Sequence, residues 1–546
     1  MRKQPKPGRK SRDLSAFVSV VWAPPERPCA CCGDATRIQQ HRRRPLQLLS
    51  SKLLVTRKDR RCTNPGHCNV VLIRPDTKES KLVLRGCEYG LDVIALVGER
   101  HIHGHRSFAE IHQELVKEYG VLISERHVPN LFRLYLVLVG ARHLETAAVQ
   151  ARLKAQGRMI LSVDAVQFDD VSPRLYVIRE VLSEEILAAE RIEKADTERL
   201  AAFLETAKAI GVSVVGIVTD KEKALIAAVE VAFPGVPHQY CQTHFLGHLV
   251  KPMESDLVKL GSAVEKVAKD MRGLAKGMAE NEAATPEEWQ IANKLCEAVQ
   301  VISKVQGDKI LDPAALKRFT ELKEIREMTK EAVERREGDS PLLIRILTIF
   351  AFMAPWIALA KRLSRQVEIV REIAHLLGQD VLGKTVERRL DAYLKKLAQH
   401  APQRGRGAAQ GLFHHQVIAV ARRFWKGLFA CYDVEGLPNN NNALESFFRL
   451  LKCHFRRVHG TKSTAGGVLE SIAPLMVMLW PELQKRPNLQ ALLHDLTAEE
   501  IKKARDGMQE LAEPAQKRRG FRRDREGQLK AAFEAFCPKR RNTPEA

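Results

Sequence analysis

Met159-Ile-Leu-Ser-Val-Asp164-Ala-Val166 is an apolar run of strand length with a carboxylate set inside it. A buried, ionised carboxylate is costly unless it is paired or bound to a metal, so an aspartate in such a run needs a reason. Outward from it, Arg174-Leu-Tyr-Val-Ile-Arg-Glu-Val-Leu182 reads as a second strand and Glu185-Ile-Leu-Ala-Ala-Glu-Arg191 as a third. A helix over Asp196–Ile210 follows, closed by Gly211. Val212-Ser-Val-Val-Gly-Ile-Val-Thr-Asp220 is a β-branched strand with a second aspartate at its end, and Lys221–Phe233 is a helix stopped by Pro234-Gly235, with a short strand beyond. Three strands, helix, strand, helix, strand predicts a mixed sheet with helices on its faces. If the strands bearing Asp164 and Asp220 are neighbours, their carboxylates converge at one sheet end, where a hard cation such as Mg²⁺ or Mn²⁺ compensates them. Each also has a plainer reading: Asp164 at the exposed end of its strand, Asp220 as the cap of the next helix.

Farther along, strand signals vanish between residues 246 and 435, and Leu/Ala/Lys/Glu periodicity takes over, broken near Gly277, Pro286, Pro313, Pro341 and Gly378. At Pro438-Asn-Asn-Asn-Asn-Ala-Leu-Glu445-Ser the chain becomes motif-like again. Asn442 with Glu445 three residues on has the form of a capping box, in which the glutamate only satisfies backbone donors. The helix that follows offers more. Leu444, Phe447, Phe448, Leu451 and Phe455 form an apolar face, while Glu445, Arg449, Lys452 and Arg456 share another. A carboxylate followed by three cations suits a metal ligand beside a phosphate backbone, and suits a solvated face of i,i+4 pairs almost as well.

Upstream, five of the eleven cysteines fall within Cys29–Cys68, too dilute for a disulfide scaffold and clustered as for a metal. Cys29-Ala-Cys31-Cys32-Gly33 has zinc-knuckle form, with Cys62 and Cys68 as the second half of a structural Zn²⁺ site and Cys31 or His67 as spare ligands. Reduced cysteines in a small basic domain are the simpler alternative. Ser107-Phe-Ala-Glu110 is a capping box, Gly120 suits a helix end, and Ser124 opens another helix, which Pro129 complicates. Two such helices have helix-turn-helix form, presenting Arg126, His127, Asn130 and Arg133 to a DNA groove; an ordinary helical hairpin is the alternative.

The whole chain of 546 residues, 45% hydrophobic, is long enough for three or more domains. Its 88 Lys+Arg against 66 Asp+Glu give a net charge of +22, a field that attracts polyanions. Basic clusters in Met1–Asp13 and Lys517–Glu526 read as solvated tails or phosphate-contacting arms. No signal peptide is expected. The longest apolar stretch, Ile346–Ala360, is short for a membrane span and contains Pro355, so a buried helix, no membrane partner and a cytoplasmic, nucleoid-associated protein are expected.

Asp164 in an early strand, Asp220 after the fourth, Phe233-Pro-Gly-Val-Pro-His238-Gln-Tyr-Cys241-Gln-Thr-His244 and the late Asn442-Ala-Leu-Glu445-Ser446 together resemble a DDE transposase of the Mutator-like group, over about residues 155–480. The resemblance implies a multidomain α+β protein whose RNase H-like mixed α/β catalytic domain is interrupted by an all-α insertion, preceded by a zinc-knuckle-like region and a helix-turn-helix. The expected boundaries are 1–78 (basic arm and zinc-binding region), 79–150 (helix-turn-helix), 151–250 and 436–495 (catalytic core), 251–435 (helical insertion) and 496–546 (basic tail). It further implies that Asp164, Asp220 and Glu445 hold two Mg²⁺ or Mn²⁺ ions, hydrolyse phosphodiesters at transposon ends and transfer the 3′-hydroxyl into target DNA. Partners would be terminal inverted repeats, target DNA and a second copy of the chain, in a dimer or higher oligomer. Cys241 and His244 correspond to the family's Cys-x-x-His element, with a role in structural support or DNA-end contact. Two other readings stand beside this one: a non-catalytic DNA-binding protein derived from a transposase, and a nuclease of the same fold that cuts without joining.

Overall fold

The structure is a computed structural model that describes residues 14–64, 82–84, 86–143, 146–167, 174–279, 285–302, 311–335, 340–402, 408–460, 468–486, 488 and 490–509. Both basic tails, His67 and Cys68 lie outside the described residues.

An arginine-rich segment opens the fold. Val18–Trp22 (β1), Thr36–Gln47 (β2) and Lys52–Cys62 (β3) form a sheet in the order β1-β3-β2, with β1 parallel and β2 antiparallel to β3. Hydropathy does not announce β2, because TRIQQHRRRPLQ has almost no apolar alternation. Its ladder to β3 and the burial of Leu46 and Val55 against Val83 hold it instead. The Gln47 side-chain amide then ties this sheet onward, donating to Glu88 and to the Leu122 carbonyl and accepting from the Leu122 N–H at 2.6 Å.

Four helices follow: Leu91–Ile102 (α1), Phe108–Lys117 (α2), Val128–His143 (α3) and Thr146–Gln156 (α4). The Ser107/Glu110 capping box forms as the sequence predicts, and Gly120 takes the left-handed φ of +61°. Ser124 does not open an α-helix. A 3₁₀ turn spans Glu125–His127 and α3 starts at Val128, which puts Pro129 in the first turn, where its missing N–H leaves no bond unmade.

The second sheet contains Met159–Val166 (β4), Arg174–Glu180 (β5), Ile186–Ile192 (β6), Val214–Thr219 (β7) and His238–Tyr240 (β8), in the order β6-β5-β4-β7-β8. β4, β5 and β6 are antiparallel neighbours, while β7 runs parallel to β4 and β8 parallel to β7. Thr197–Lys208 (α5) and Lys223–Ala232 (α6) pack Phe203, Leu204, Leu225 and Val229 against Leu161, Val163, Tyr176 and Ile178 on one face. β4 is buried along almost its whole length, as a mostly apolar pattern requires of a central strand, and Asp164 is buried with it.

After β8 and Gln242–Val250 (α7), the described residues contain no further named strand until the chain returns to the sheet. Glu254–Ala279 (α8), Pro286–Ile302 (α9), Ala314–Arg335 (α10), Pro341–Ala351 (α11), Ile357–Leu377 (α12), Gly383–Gln399 (α13) and Ala408–Phe424 (α14) share one apolar core, to which α7 contributes Phe245 and Leu249. The apolar stretch around Pro355 is divided between α11, a 3₁₀ turn at Ala354–Trp356 and α12. Among the described residues no single helix is long and apolar enough to cross a membrane. The insertion closes where Gly427 lies flat on the Tyr240 ring; a Cβ there would sit 2.4 Å from a ring carbon, so this approach needs glycine.

Asn442–His459 (α15) and Val468–Lys485 (α16) follow, and Leu492, Leu493 and Ala504 beyond them join the same core. The apolar faces of these two helices, including Leu444, Phe448, Leu451, Phe455 and Trp480, share one cluster with α1 and α3 and with Val166, Leu175 and Val177 of the sheet. The helices expected as a separate DNA-binding unit therefore share a core with the helix that carries Glu445.

Candidate active site

Parallel pairing of β4 with β7 sets Val163 beside Thr219, so Asp164 and Asp220 emerge together at the same sheet end. β7 pairs in turn with β8 in a register that places Thr219 beside Tyr240, and the Cys241 N–H donates to the Thr219 carbonyl at 2.9 Å. That register starts α7 next to Asp220, with His244 one turn in. α15 brings Glu445 from across the helical insertion. Asp164, Asp220, His244 and Glu445 line one open cleft of about 430 Å³ together with Arg449, Lys452 and Arg456. All three carboxylates of the sequence reading, and the three cations of the α15 face, are thus brought together.

The plainer explanations for two of the carboxylates do not hold in this geometry. Asp220 caps nothing: the N-cap of α6 is Glu222, without a side-chain bond. The expected Asn442/Glu445 capping box is absent because the N-cap of α15 is Asn441, and its side chain is engaged elsewhere. Asn441 accepts from the Ser162 hydroxyl at 2.9 Å and donates to the Val163 carbonyl at 3.1 Å, fastening the start of α15 to β4 beside Asp164. Its neighbours add the Gln242 N–H to Asn439 carbonyl bond and the Thr243 hydroxyl to Asn442 bond. The asparagine run, whose four residues say little as sequence, is the fastening between the two halves of the site. Asn441→Ala removes two buried bonds and is expected to cost about 1–3 kcal/mol of stability and to loosen Glu445. Denaturant unfolding with circular dichroism measures the first effect; an unchanged midpoint would show the fastening to be dispensable.

The electrostatics of the cleft are unbalanced. Asp164 accepts from the Ala165 N–H at 2.7 Å, and burial, reinforced by the charge of Asp220, pushes its carboxyl up to about 7. His244 Nδ1 lies 2.9 Å from Asp220 Oδ1 and 3.6 Å from Glu445 Oε1. The close Asp220 carboxylate, and then Cys241, push the imidazole up to about 11. Yet the facing Asp220 Oδ1 and His244 Nδ1 atoms are buried without a well-aligned hydrogen-bond partner. Close but misaligned, they are spaced like adjacent ligands of one ion, since ligand atoms about 2.1 Å from a cation subtend an edge of about 3 Å. The donor set at Asp164, Asp220 and Glu445 is all oxygen and fits a hard divalent cation.

A raised carboxyl on Asp164 has a stability consequence with a definite sign. The folded protein binds the proton up to about pH 7, the unfolded chain only to the ordinary value of 3.8, so folding loses stability as pH rises between these limits. In chelator, Asp164→Asn is therefore expected to be more stable than the parent at pH 8, by on the order of a few kcal/mol, and level with it near pH 4. Urea midpoints at the two pH values test this; equal differences at both would overturn it.

Two other groups of expected residues fare differently. The Sγ atoms of Cys29, Cys32 and Cys62 lie within 4.8 Å of one another, with Cys32 and Cys62 3.4 Å apart, in the loop before β2 and at the end of β3. Gly33 takes a φ of +74°, its N–H donates to the Cys29 carbonyl, and the Asn64 N–H points at Cys62 Sγ. Three thiols fit a soft cation such as Zn²⁺; Cys31 is exposed and not in the group. The helix-turn-helix residues do not form one open face. Arg126 is exposed, but His127 lies 5.2 Å from the Tyr89 ring, and Arg133 donates to Asn130 at 3.1 Å with both half-buried. α3 buries Leu131, Phe132, Tyr135, Leu136 and Leu138. Sequence reasoning passes over the β2–β3 ribbon, where exposed Arg37, His41 and Arg42 face Arg61, Lys58 and Arg57 across the ladder; the run Arg42–Arg44 is the available signal. It also sets His244 apart from the chemistry.

Comparison with known proteins bears on part of this site. Residues 178–304 match the model of the Mutator-family transposase, a stretch that holds Asp220, Cys241 and His244 but not Asp164 or Glu445. No curated protein matches the chain. Among solved structures, one described as the Drosophila P element transposase strand transfer complex is similar at 11% identity, covering 75% of this chain and 92% of that chain, with a TM-score of 0.27. The matched segment runs from within β5 to just past α9.

Proposed function

We propose that the chain is a divalent-metal-dependent DNA transposase of the DDE type, with Asp164, Asp220 and Glu445 as its catalytic carboxylates. The convergence of these three, from β4, the end of β7 and the first turn of α15, in a cleft flanked by three cations is the observation that carries the reading. The sheet order, an antiparallel meander followed by two parallel strands, supports an RNase H-like catalytic core made of residues 151–250 and 436–495, with 251–435 inserted.

Asp164, Asp220 and Glu445 would hold a pair of divalent cations, which would supply an activated oxygen nucleophile and charge stabilisation at the leaving oxygen of an in-line phosphodiester displacement. The protein's part is positioning. Asp164 and Asp220 are held by paired strands and Glu445 by the Asn441 fastening, so the three carboxylates are preorganised. Arg449 and Lys452 run away from Glu445 along the cleft and would hold the phosphates of a DNA end. The same geometry serves hydrolysis at the transposon end and attack of the freed 3′-hydroxyl on target DNA. Arg126 and the β2–β3 ribbon are proposed to hold flanking duplex, and the Cys29, Cys32 and Cys62 group to bind structural Zn²⁺.

The test uses full-length protein, Mn²⁺ or Mg²⁺, and labelled DNA bearing the element's own terminal repeats. Nicking at the repeat boundary followed by joined products is expected. Nicks without joined products would favour a nuclease of this fold, and binding without cleavage under either metal would overturn the enzymatic reading.

A further inference from the structure

Cys241 and His244 sit three residues apart at the start of α7, on one face of its first turn. The β7–β8 register that places Thr219 beside Tyr240 carries Asp220 alongside them. A carboxylate oxygen of Asp220, the Sγ of Cys241 and a ring nitrogen of His244 all lie within 4.8 Å of one another. Cys241 is fully buried, and its sulfur accepts from the Asn441 N–H at 3.5 Å. The facing Asp220 and His244 atoms are the two buried, poorly aligned polar atoms of the cleft. Asp164 and Glu445, by contrast, offer oxygen alone.

We propose that Asp220, Cys241 and His244 form a soft-cation site that selects a thiophilic divalent ion such as Zn²⁺ over Mg²⁺, and that shares Asp220 with the oxygen-ligand site beside it. Sulfur, imidazole and carboxylate donors with one position left open make a normal three-protein-ligand zinc set, whereas Mg²⁺ seeks oxygen and keeps its water. On binding, the thiol proton of Cys241 and any proton on the coordinating ring nitrogen pass to solvent, and nothing is oxidised. Resting on the proposed function, one consequence is regulatory: a zinc ion here withdraws Asp220 from the catalytic pair and inhibits cleavage.

Cobalt(II) substitution reads this site without any activity measurement. Metal-stripped full-length protein titrated with Co²⁺ is expected to take up about two equivalents with thiolate-to-cobalt charge-transfer bands, one at the amino-terminal cysteines and one here. Cys241→Ser and, independently, the half-exposed His244→Gln are each expected to lose about one equivalent, with Mg²⁺ in large excess failing to displace it. Cys62→Ser should remove the other. Circular dichroism confirms that each variant is folded, and the two Asp220-site variants guard against one failing to fold. Unchanged uptake and bands in both would overturn the proposal, as would ready displacement by Mg²⁺. A protein that cleaves no DNA but shows the Cys241-dependent band would defeat the proposed function while leaving this site intact. Where cleavage is found, micromolar Zn²⁺ should suppress it; cleavage insensitive to Zn²⁺ with the site filled would overturn the regulatory step.

Discussion

Asp220→Asn is expected to lower metal-dependent DNA nicking by about a thousandfold or more, while affinity for the same DNA in chelator stays level or rises. Asp220 holds the central position of the cleft: it neighbours Asp164 across the β4–β7 pair and lies 2.9 Å from His244. Replacing one carboxylate oxygen by an amide removes an anionic ligand with almost no change in shape. The loss therefore falls on charge stabilisation of the reacting phosphate, which a metal supplies at several kcal/mol; about 4 kcal/mol corresponds to a thousandfold. Single-turnover nicking on a labelled terminal repeat, paired with filter binding, separates chemistry from binding. Equal losses in both would mean that Asp220 serves the fold or the DNA contact. Nicking at the parent rate would remove it from the active site.

The second large effect is expected on binding. Arg449, Lys452 and Arg456 follow Glu445 along the open face of α15 and line the cleft, while the opposite face is packed into the core. Changing all three to glutamine leaves the packed face untouched, so the helix should keep its place. Each phosphate that no longer meets a cation reduces the dependence of log affinity on log salt by about 0.9. The triple variant should show a slope shallower by about 2–3 and an affinity at low salt weaker by about a hundredfold or more. A salt titration of binding to duplex DNA measures both at once. A parental slope would mean that these cations face solvent and the DNA lies elsewhere, with the β2–β3 ribbon as the next surface to neutralise.

Much of the five-stranded sheet region is legible because its signals are local. Val214–Thr219 is a dense β-branched run, Asp196 caps α5 with its own side chain, and Gly211 turns the chain with a φ of +76°; each can be read within a few residues. Asp164 announces itself because a charge inside an apolar strand is expensive. What escapes a reading of the sequence depends on partners far away in the chain. Nothing near Asn441 says that its amide will be used by Ser162 and Val163, and so nothing local says that Glu445 is freed from capping. His244 becomes part of the cleft only through the β7–β8 register. β2 escapes for a different reason: a polar strand stabilised by its ladder leaves little hydropathic trace. α3 departs from expectation in spite of a signal. The run Leu131-Phe-Arg-Leu-Tyr-Leu-Val-Leu-Val139 is apolar nearly all round, the mark of a buried helix rather than one laid in a groove.

The Asn441 fastening also sets when Glu445 can join Asp164 and Asp220 in the cleft. Its partner Ser162 lies 279 residues earlier in the chain. At synthesis rates of about 5–20 residues per second, the ribosome needs roughly a quarter of a minute to a minute to pass from one to the other. On the proposed function, the nascent chain would hold the two aspartates without the glutamate throughout that interval, and it should not cut DNA. A chain halted anywhere in the helical insertion never acquires the last carboxylate. If the proposed function holds, long separation in sequence would act as a birth-timed safety catch, released only when α15 has been made and docked on β4.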